Sequence, residues 1–540
     1  MPAPNLKQEI QNIPLQIAGG THFGRYPKIS KEQTWNFIVS DSWLVPYAGY
    51  KNVLTLSPTE LGRGIYSSFV GGFMIAVVGS EVSKVSASPT TGLLSSAVVG
   101  ILLTNIGDVY IAENNNTEIC ITDGVAVYVY NYTTGTFLQS VQSAPTSTQF
   151  IFPFTNPGYI AFQNGRLIIA CTGSTNWVLS GPNMATVWGI TPSQVGSIQS
   201  KPDYAQAAVP MPGGGNNLLV FGRNVTELWQ DTGREALFPY IRASTFSVDY
   251  GCLNAATVAH LKNYVVWLAV NEQSGPVLMK SEGGVPEAIS TDGIDFQLGN
   301  LTNPENCTGF LYQQDGHVLY QFTFPDDNIS YAYDFETKLF FNVSNEELNY
   351  HIAREVVYFN NTYYFVSLTD GNVYEFDTLF TAADYGNGDV RSIPRIRITP
   401  PLRLPDQRYY IAKSLGFTVE NGQPNKFRTV TTYQNADVVI DTEGATNIAT
   451  EGGTLICTEN RIPEPNATYI YASEVVSLAV SRDGGETFGT FWGKDMNPTG
   501  KFKSRFIYQR LGHANDSTYQ LRFNGYGRFC VTDGLVEIYQ

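Results

Sequence analysis

The segment from Ser481 to Phe488 carries side chains whose types and spacing suit a tight, hydrogen-bonded turn. It reads Ser-Arg-Asp-Gly-Gly-Glu-Thr-Phe, with two glycines directly after the aspartate. An aspartate carboxylate can accept hydrogen bonds from backbone N–H groups of its own turn, and glycine adopts the positive φ angles that such turns need. The final aromatic ring can pack beneath the turn. The segment therefore predicts a structural hairpin turn formed by Ser481, Asp483, Gly485, Thr487 and Phe488.

This turn motif resembles the Asp-box of sialidases, with phenylalanine in place of tryptophan. The resemblance implies a structural role, because the Asp-box is structural even in sialidases, which are β-propellers in which it recurs. Here the motif occurs once, and glycosidase chemistry also requires a pair of carboxylates across a cleft. A sialidase-like glycosidase therefore stays an alternative function, beside a carbohydrate-binding or receptor-binding propeller.

Motifs for other kinds of catalysis are missing from the sequence. It contains no HExxH zinc motif, no GxSxG nucleophile motif and no Walker loop. The histidines stand singly, and no two cysteines are closer than 51 residues. Because metal ligands and redox cysteines usually recur at short spacing, we predict no metal, no cofactor and no enzymatic activity.

The stretch from Arg391 to Arg408 is the most basic part of the chain. It contains five arginines and four prolines but one acidic residue. Proline cannot donate a hydrogen bond to a sheet, so we predict an extended strap or linker rather than a central strand. Two roles stay open for it: a linker paired with acidic neighbours, or a row that faces DNA or an acidic partner. The residues of the second role are Arg391, Arg395, Arg397, Arg403 and Arg408.

The composition indicates a globular protein with a weakly charged surface. The chain has 540 residues, of which 43% are hydrophobic and 15% charged, and its formal net charge is −15. Tight binding of nucleic acid needs a basic balance, so a protein that grips DNA is excluded, whereas one that guides DNA by repulsion is not. Apolar runs are far shorter than the ~20 residues of a membrane span, and no signal peptide is visible. We predict a reduced, cytoplasmic origin without membrane insertion.

A repeated turn followed by a run of β-forming residues sets the predicted architecture. The turn precedes a strand at positions 165, 215, 263, 316 and 361, with steps of 50, 48, 53 and 45 residues. Several of these strands are followed by a second one at hairpin distance. A period of ~40–50 residues made of short strands is typical of propeller blades, although a large antiparallel sandwich is the alternative.

We therefore predict an all-β chain with a six- or seven-bladed β-propeller and a small C-terminal β-sandwich-like domain. The predicted divisions are an extended N-terminal arm over 1–45, the propeller over 46–390, the strap over 391–408, and the C-terminal β domain over 409–540. The alternating runs after residue 409 suit a sandwich.

Several short motifs resemble one family, the packaged-DNA stabilisation proteins of short-tailed phages, which are tail hub or nozzle proteins. The resemblance covers most of the chain. An acidic, tyrosine-rich stretch around Asn328–Asn349 has no counterpart in the family and is interpreted as an insert. The motifs that carry the resemblance are Trp35–Val39, Pro46–Tyr50, Gly62–Tyr66, Leu218–Arg223, Thr226–Trp229, Val248–Cys252 and the Ser481–Gly489 turn.

The resemblance implies a structural component of the virion tail, made in the host cytoplasm. It implies a ring, expected to be a hexamer, below the portal-adaptor complex, where it closes the DNA channel, retains the packaged genome and opens on ejection. Expected partners are other copies of the chain, the portal-adaptor protein, and tail needle, plug or fibre proteins. Packaged double-stranded DNA would pass with weak, non-specific contacts.

Overall fold

The computed structural model is built almost entirely from β-strands. It describes residues 10–24, 31–189, 194–420, 433–435, 438–439, 457–458, 461–463, 475–496 and 503–539, except for positions 212, 214, 235–237, 262 and 284. Within these residues there is one α-helix, α1 (Asp292–Gly299), and one short 3₁₀-helix, Ala255–Thr257. Neither has the length of a membrane-spanning helix. The predicted all-β fold is confirmed.

The chain begins with five strands that lie outside the run of regular blades. They are β1 (Ile10–Leu15), β2 (Gln33–Trp35), β3 (Phe37–Ser40), β4 (Trp43–Pro46) and β5 (Gly49–Ser57).

Six blades follow, each made of strands that are consecutive in the chain. Blade 1 contains β6 (Gly62–Ser68), β7 (Phe73–Val78), β8 (Glu81–Ala87) and β9 (Leu94–Ile101); blade 2 contains β10 (Tyr110–Glu113), β11 (Glu118–Thr122), β12 (Val127–Asn131), β13 (Thr136–Val141) and β14 (Gln149–Ile151). Blade 3 contains β15 (Pro157–Gln163), β16 (Arg166–Cys171), β17 (Asn176–Gly181), β18 (Met184–Trp188) and β19 (Val195–Ser197); blade 4 contains β20 (Ala205–Pro210), β21 (Asn217–Gly222), β22 (Thr226–Asp231) and β23 (Tyr240–Val248). Blade 5 contains β24 (Ala259–Leu261), β25 (Tyr264–Ala269), β26 (Val277–Ser281) and β27 (Glu287–Ala288); blade 6 contains β28 (Thr308–Gln314), β29 (His317–Phe324), β30 (Ile329–Asp334) and β31 (Phe340–Asn342).

A seventh blade closes the ring and is composite. Its three consecutive strands, β32 (Ala353–Phe359), β33 (Thr362–Ser367) and β34 (Gly371–Asp377), are completed by β5, which pairs antiparallel with β34. The inner strand β32 contacts β28 on one side and β6 of blade 1 on the other. The described residues therefore form a closed propeller of six regular blades and one composite blade. The predicted β-propeller is confirmed.

The repeated turns of the sequence connect the first two strands of successive blades. Asn164–Gly165 joins β15 to β16, and Asp315–Gly316 joins β28 to β29, with positive φ at all four residues. Two-residue hairpin turns with positive φ favour Asn, Asp and Gly, and their twist matches that of the strands. The same junction in blade 7 is Asn360–Asn361. The period seen in the sequence is the blade period.

The strands that follow blade 7 are β35 (Ala382–Asp384), β36 (Val390–Ser392), β37 (Arg395–Ile398), β38 (Tyr410–Glu420), β39 (Tyr433–Asn435), β40 (Val438–Val439), β41 (Cys457–Thr458), β42 (Arg461–Pro463), β43 (Val475–Ser481), β44 (Trp492–Asp495), β45 (Lys503–Ala514), β46 (Thr518–Asn524), β47 (Cys530–Val531) and β48 (Gly534–Tyr539). β35 and β36 extend the sheet of blade 7 through β5, while β39 pairs with β42 and β40 pairs with β41 in two separate small sheets. The other strands of this group, together with β1–β4, form a β domain beside blades 6 and 7. One sheet has the order β1-β48-β38-β47-β4-β3, with β45 also on β38. The other continues from blade 6 as β31-β2-β37-β46-β43-β44. A shared apolar core includes side chains of both sheets, such as Phe37, Phe417 and Phe523.

Two of the predicted segments, the N-terminal arm and the strap, differ from the structure. The described part of the predicted N-terminal arm is not extended away from the protein, because β1, β2 and β4 pair with β48, β37 and β47, and β3 pairs with β4. The predicted strap is also not a linker, because β37 lies between β2 and β46. The prolines of this stretch flank Arg395–Ile398, so the four residues between them keep the N–H groups that a central strand needs.

The predicted insert around Asn328–Asn349 is regular blade structure. It supplies the two outer strands of blade 6, β30 and β31, and β31 is the strand that carries the sheet into the β domain through β2. Its aromatic residues Tyr331, Tyr333 and Phe340 are buried in the core between blades 5 and 6.

Candidate functional site

A cavity of about 630 Å³ lies on the propeller axis, lined by residues of all seven blades. Charged side chains of both signs reach it near the seam between blade 7 and blades 1 and 2. They are Arg63, Asp108, Glu113, Arg354 and Glu355. The cavity is bounded by the inner strands of the blades and by these charged side chains.

Polar groups inside this cavity join blade 7 to blade 1. The Glu355 carboxylate accepts the backbone N–H of Ile65, with an O···N distance of 3.0 Å. Arg354 donates to the backbone carbonyl of Arg63 at 3.1 Å and pairs with Asp108. Burial raises the pKa of Glu355 to about 7, against a lowering effect of the Ile65 hydrogen bond and of Arg354. The seam therefore contains a carboxyl group that titrates near neutral pH.

Arg63 holds the segment that links blades 1 and 2. It is buried, and its guanidinium donates to the carbonyls of Gly79, Thr104, Ile106 and Gly107 over 2.6–2.9 Å. The planar fork of five N–H groups is suited to several acceptors at once. The side chain therefore fixes the path of residues 104–107.

Two of the five arginines in the basic stretch lie inside the protein. Arg395 and Arg397 are fully buried on β37. Arg395 donates to the carbonyls of Ile393 and Thr381. Arg397 pairs with Glu32 at 2.6 Å and donates to the carbonyl of Gly20 at 3.0 Å. The prediction that these two face DNA or a partner is wrong for this structure, because the described N-terminal strands and loops cover their face of the sheet.

The other three arginines of the stretch are exposed and paired with nearby acids. Arg391 bridges Asp389 and Glu346. Arg403 binds Asp516 at 2.6 Å, and Arg408 binds Asp406 at 2.7 Å. A contact of these three side chains with DNA or another protein stays a prediction. The structure does not bring the five arginines together as one row.

The turn at Ser481–Phe488 is organised around Asp483. Its carboxylate accepts the backbone N–H groups of Glu486 and Thr487 at 3.0 Å and the Thr487 hydroxyl at 2.6 Å. These hydrogen bonds, with that of Ser481, hold the pKa of Asp483 well below its usual range. Gly484 and Gly485 have φ angles of 73° and 95°. Phe488 is half-buried. The turn follows β43 in the β domain, away from the blades.

One side-chain series that the sequence analysis did not find runs from Ser40 to His317 to Asp334. His317 Nε2 lies 3.1 Å from Ser40 Oγ, and Nδ1 lies 2.8 Å from Asp334 Oδ2. Asp334 also accepts hydrogen bonds from the Glu336 N–H and the Thr337 hydroxyl. Ser40 ends β3 and is 277 residues from His317, so no local motif could have indicated this arrangement.

Five cysteines whose side chains the structure describes are free thiols. Cys120, Cys171, Cys252 and Cys307 are buried in the blades, and Cys530 is half-buried in the β domain. Burial raises the pKa of each of these thiols. Over the described ranges, no three His, Cys, Asp or Glu side chains converge in a way that could hold a metal ion.

The fold and a family match together define a structural β-propeller protein of bacteriophages. The family whose profile matches residues 30–381 is described as bacteriophage P22 Gp10, beta-propeller. The match spans more than half of the chain, so the chain belongs to this phage stabilisation family. The resemblance noted in the short motifs is thereby confirmed.

Other comparisons add only distant similarity. No curated protein matches the chain. Among solved structures, it is similar to the computationally designed Ika8 protein, with 11% identity and a TM-score of 0.35 over 67% of this chain and 99% of that chain. The extracellular domain of the putative hybrid two-component system protein BT4673 of B. thetaiotaomicron has 12% identity and a TM-score of 0.41. The alignment covers 70% of this chain and 47% of that chain. A chain of an S. cerevisiae complex of Dbp5 with Nup159 and Gle1 has 10% identity and a TM-score of 0.38. The alignment covers 62% of this chain and 96% of that chain.

Proposed function

We propose that this chain is a subunit of the phage tail hub or nozzle, which assembles as a ring of six below the portal-adaptor complex. The single observation that carries the proposal is the match of the phage stabilisation family to the propeller, residues 30–381. The ring closes the exit channel and retains the packaged genome until ejection. Its further partners are tail needle, plug or fibre proteins.

The proposed ring places the DNA channel between subunits. The DNA path runs along the surfaces that several copies turn toward a common axis. In a closed ring of identical subunits, each copy supplies the same face to the centre. Retention is then a mechanical constriction made by loops.

The charge of the chain supports passage without tight binding. The net charge is −15, and the exposed arginines 391, 403 and 408 are already paired with acids of the same chain. Such a surface repels phosphates, so DNA slides past it, and ejection is not opposed by many salt bridges.

The decisive experiment is the genome content of particles assembled without this protein. We expect these particles to package DNA and then lose it, as measured by the ratio of DNA to capsid protein after purification. Particles that keep full-length DNA and fail only in attachment to the cell, or in digestion of its surface, would contradict the proposal. That outcome would favour the receptor-binding or glycosidase alternative.

A second candidate function, acyl-ester or amide hydrolysis, is favoured by the hydrogen-bonded series Ser40–His317–Asp334. In this arrangement the Ser40 hydroxyl attacks the acyl carbon, and His317 takes its proton and passes it to the leaving group. Water then cleaves the acyl-serine, while Asp334 stabilises the charged imidazole. A fluorophosphonate probe tests this directly, because it labels an activated serine. Absence of labelling at Ser40 in the folded protein would eliminate this candidate and leave the series a structural tie between β3 and blade 6.

A further inference from the structure

The outermost described strand of blade 1 is β9, and apolar side chains on and near it are exposed to solvent. β9 is the last strand of its sheet in the described part of the chain. Six large apolar side chains on β9, on the residues next to it and on the neighbouring β11–β12 turn of blade 2 are more than half exposed, from 55% for Val98 to 77% for Ile106. We call this set the blade-1 edge. It consists of Leu93, Val98, Ile101, Leu103, Ile106 and Val125.

Five of the six residues of the blade-1 edge, all except Val125, lie in a long uncharged stretch. No Asp, Glu, Lys or Arg occurs from Val85 to Gly107, a run of 23 residues. Exposed edge strands usually carry charges or prolines that prevent pairing with other chains, because their free N–H and C=O groups are a template for a new strand. β9 itself has no proline or charge. An edge of this kind favours contact with another surface.

The part of this edge that follows β9 is held in place by hydrogen bonds. Residues 104–107 receive the hydrogen bonds of the buried Arg63, and the Thr104 N–H and hydroxyl donate to Asp123 at 3.2 and 2.9 Å. The backbone N–H of Leu103 donates to the Tyr128 hydroxyl at 2.7 Å. Leu103 and Ile106 therefore point outward from a fixed backbone. A preorganised apolar surface loses little conformational entropy when it binds.

From this geometry we infer that the blade-1 edge is the contact surface for a second copy of the chain, which rests on the proposed ring assembly. Two copies that each carry a net charge of −15 repel one another, and an uncharged run is where they can touch without facing like charges. In a ring the contact is heterologous, so the edge of one copy meets a different surface of the next.

The area of the edge suits such a contact. Full burial of a Val, Leu or Ile side chain removes roughly 60–120 Å² from water, so the six side chains at their present exposure offer roughly 230–470 Å². A standard interface takes about 800 Å² from each partner, of which about 57% is apolar. The blade-1 edge therefore supplies half or more of the apolar part of one subunit contact.

Photo-crosslinking in assembled virions tests the inference. p-Benzoylphenylalanine is introduced at position 98 and, as a matched control, at Val285, an equally apolar exposed residue of blade 5. We expect irradiation to give an adduct of twice the 59.5 kDa chain mass from position 98, with peptides of this chain on both sides of the link. An adduct with a different virion protein, or no adduct from position 98, would overturn the inference.

Substitution of the edge gives a second measurement. Val98→Lys combined with Ile101→Lys should lower the amount of chain incorporated into virions at least tenfold, whereas Val285→Lys should not. The thermal unfolding of the isolated chain should be unchanged, because all three side chains are exposed. Normal incorporation of the double variant would contradict the inference and leave the ring proposal standing. Absence of the wild-type chain from virions would instead contradict the proposed function itself.

Discussion

The carboxylate of Glu355, on the inner strand of blade 7, accepts the backbone N–H of Ile65, on the inner strand of blade 1. The ring of blades is therefore closed in two places, one near the rim and one near the axis. Toward the rim, β5 completes blade 7 by pairing with β34. Near the axis, the Glu355 carboxylate and the Arg354 guanidinium of blade 7 both bind backbone groups of blade 1. The outer closure is a strand ladder, whereas the inner closure includes a titratable carboxyl group.

The first prediction concerns the pH dependence of this inner closure. An unfolded glutamate releases its proton near pH 4.5, whereas folded Glu355 keeps its proton up to about pH 7. Between these values the folded state binds more protons, so its stability falls as the pH rises. Glu355→Gln is neutral at every pH and retains an oxygen that can accept the Ile65 N–H. We expect the variant to gain up to about 3 kcal/mol over the wild type between pH 5 and pH 8.

Thermal unfolding at several pH values from 5 to 8 measures this difference. Other groups titrate in the same range, so the informative quantity is the gap between wild type and variant, which cancels their common contribution. A gap that stays constant across the series would show that Glu355 does not change its protonation there.

The second prediction concerns Arg63. Replacement by methionine leaves four backbone carbonyls without their donor, and we expect a loss of about 3 kcal/mol in the free energy of unfolding. Arg166→Met is the control, because Arg166 donates to one carbonyl, that of Ser180, and the expected loss is about 1 kcal/mol. Equal losses for both variants, measured by thermal unfolding, would contradict the role of Arg63 as a clamp for residues 104–107.

The architecture of the blades could be predicted from the sequence because its signals are local. A turn such as Asp315–Gly316 needs positive φ at two neighbouring residues, and few residue types meet that need. The composite blade could not be predicted in the same way. β5 pairs with β34, more than 300 residues later, and nothing in residues 49–57 indicates which blade they complete.

The candidate site was less predictable, because side-chain roles depend on what covers a strand. Prolines around Arg395–Ile398 suggested an exposed strap, yet the stretch between them is a central strand that the N-terminal segment covers. Two of the five arginines of this stretch are buried, and Arg397 binds Gly20 and Glu32 of the N-terminal segment. His317 and Ser40 likewise meet only through the fold.

The third prediction separates the buried from the exposed arginines. Arg397→Met leaves Glu32 without its buried partner, and we expect a loss of about 3 kcal/mol in stability that high salt does not change. Arg408→Ser, in an exposed pair with Asp406, should change stability by less than about 1 kcal/mol. Thermal unfolding at low and high salt compares the two. If Arg397→Met is tolerated as well as Arg408→Ser, then Arg397 does not hold the N-terminal segment.

The last prediction concerns DNA. A subunit that retains DNA by constriction gains nothing from tight binding, and tight binding would also oppose ejection. Acidic residues outnumber basic ones by 48 to 33, and Arg391, Arg403 and Arg408 are each paired to an acid, so the net field of the chain repels phosphates. We therefore expect the isolated chain to bind duplex DNA with a Kd of about 10⁻⁴ M or weaker at physiological salt. Fluorescence anisotropy with a labelled duplex measures this value. A Kd below micromolar that weakens steeply with salt would show a built DNA-binding surface and would contradict passage by repulsion.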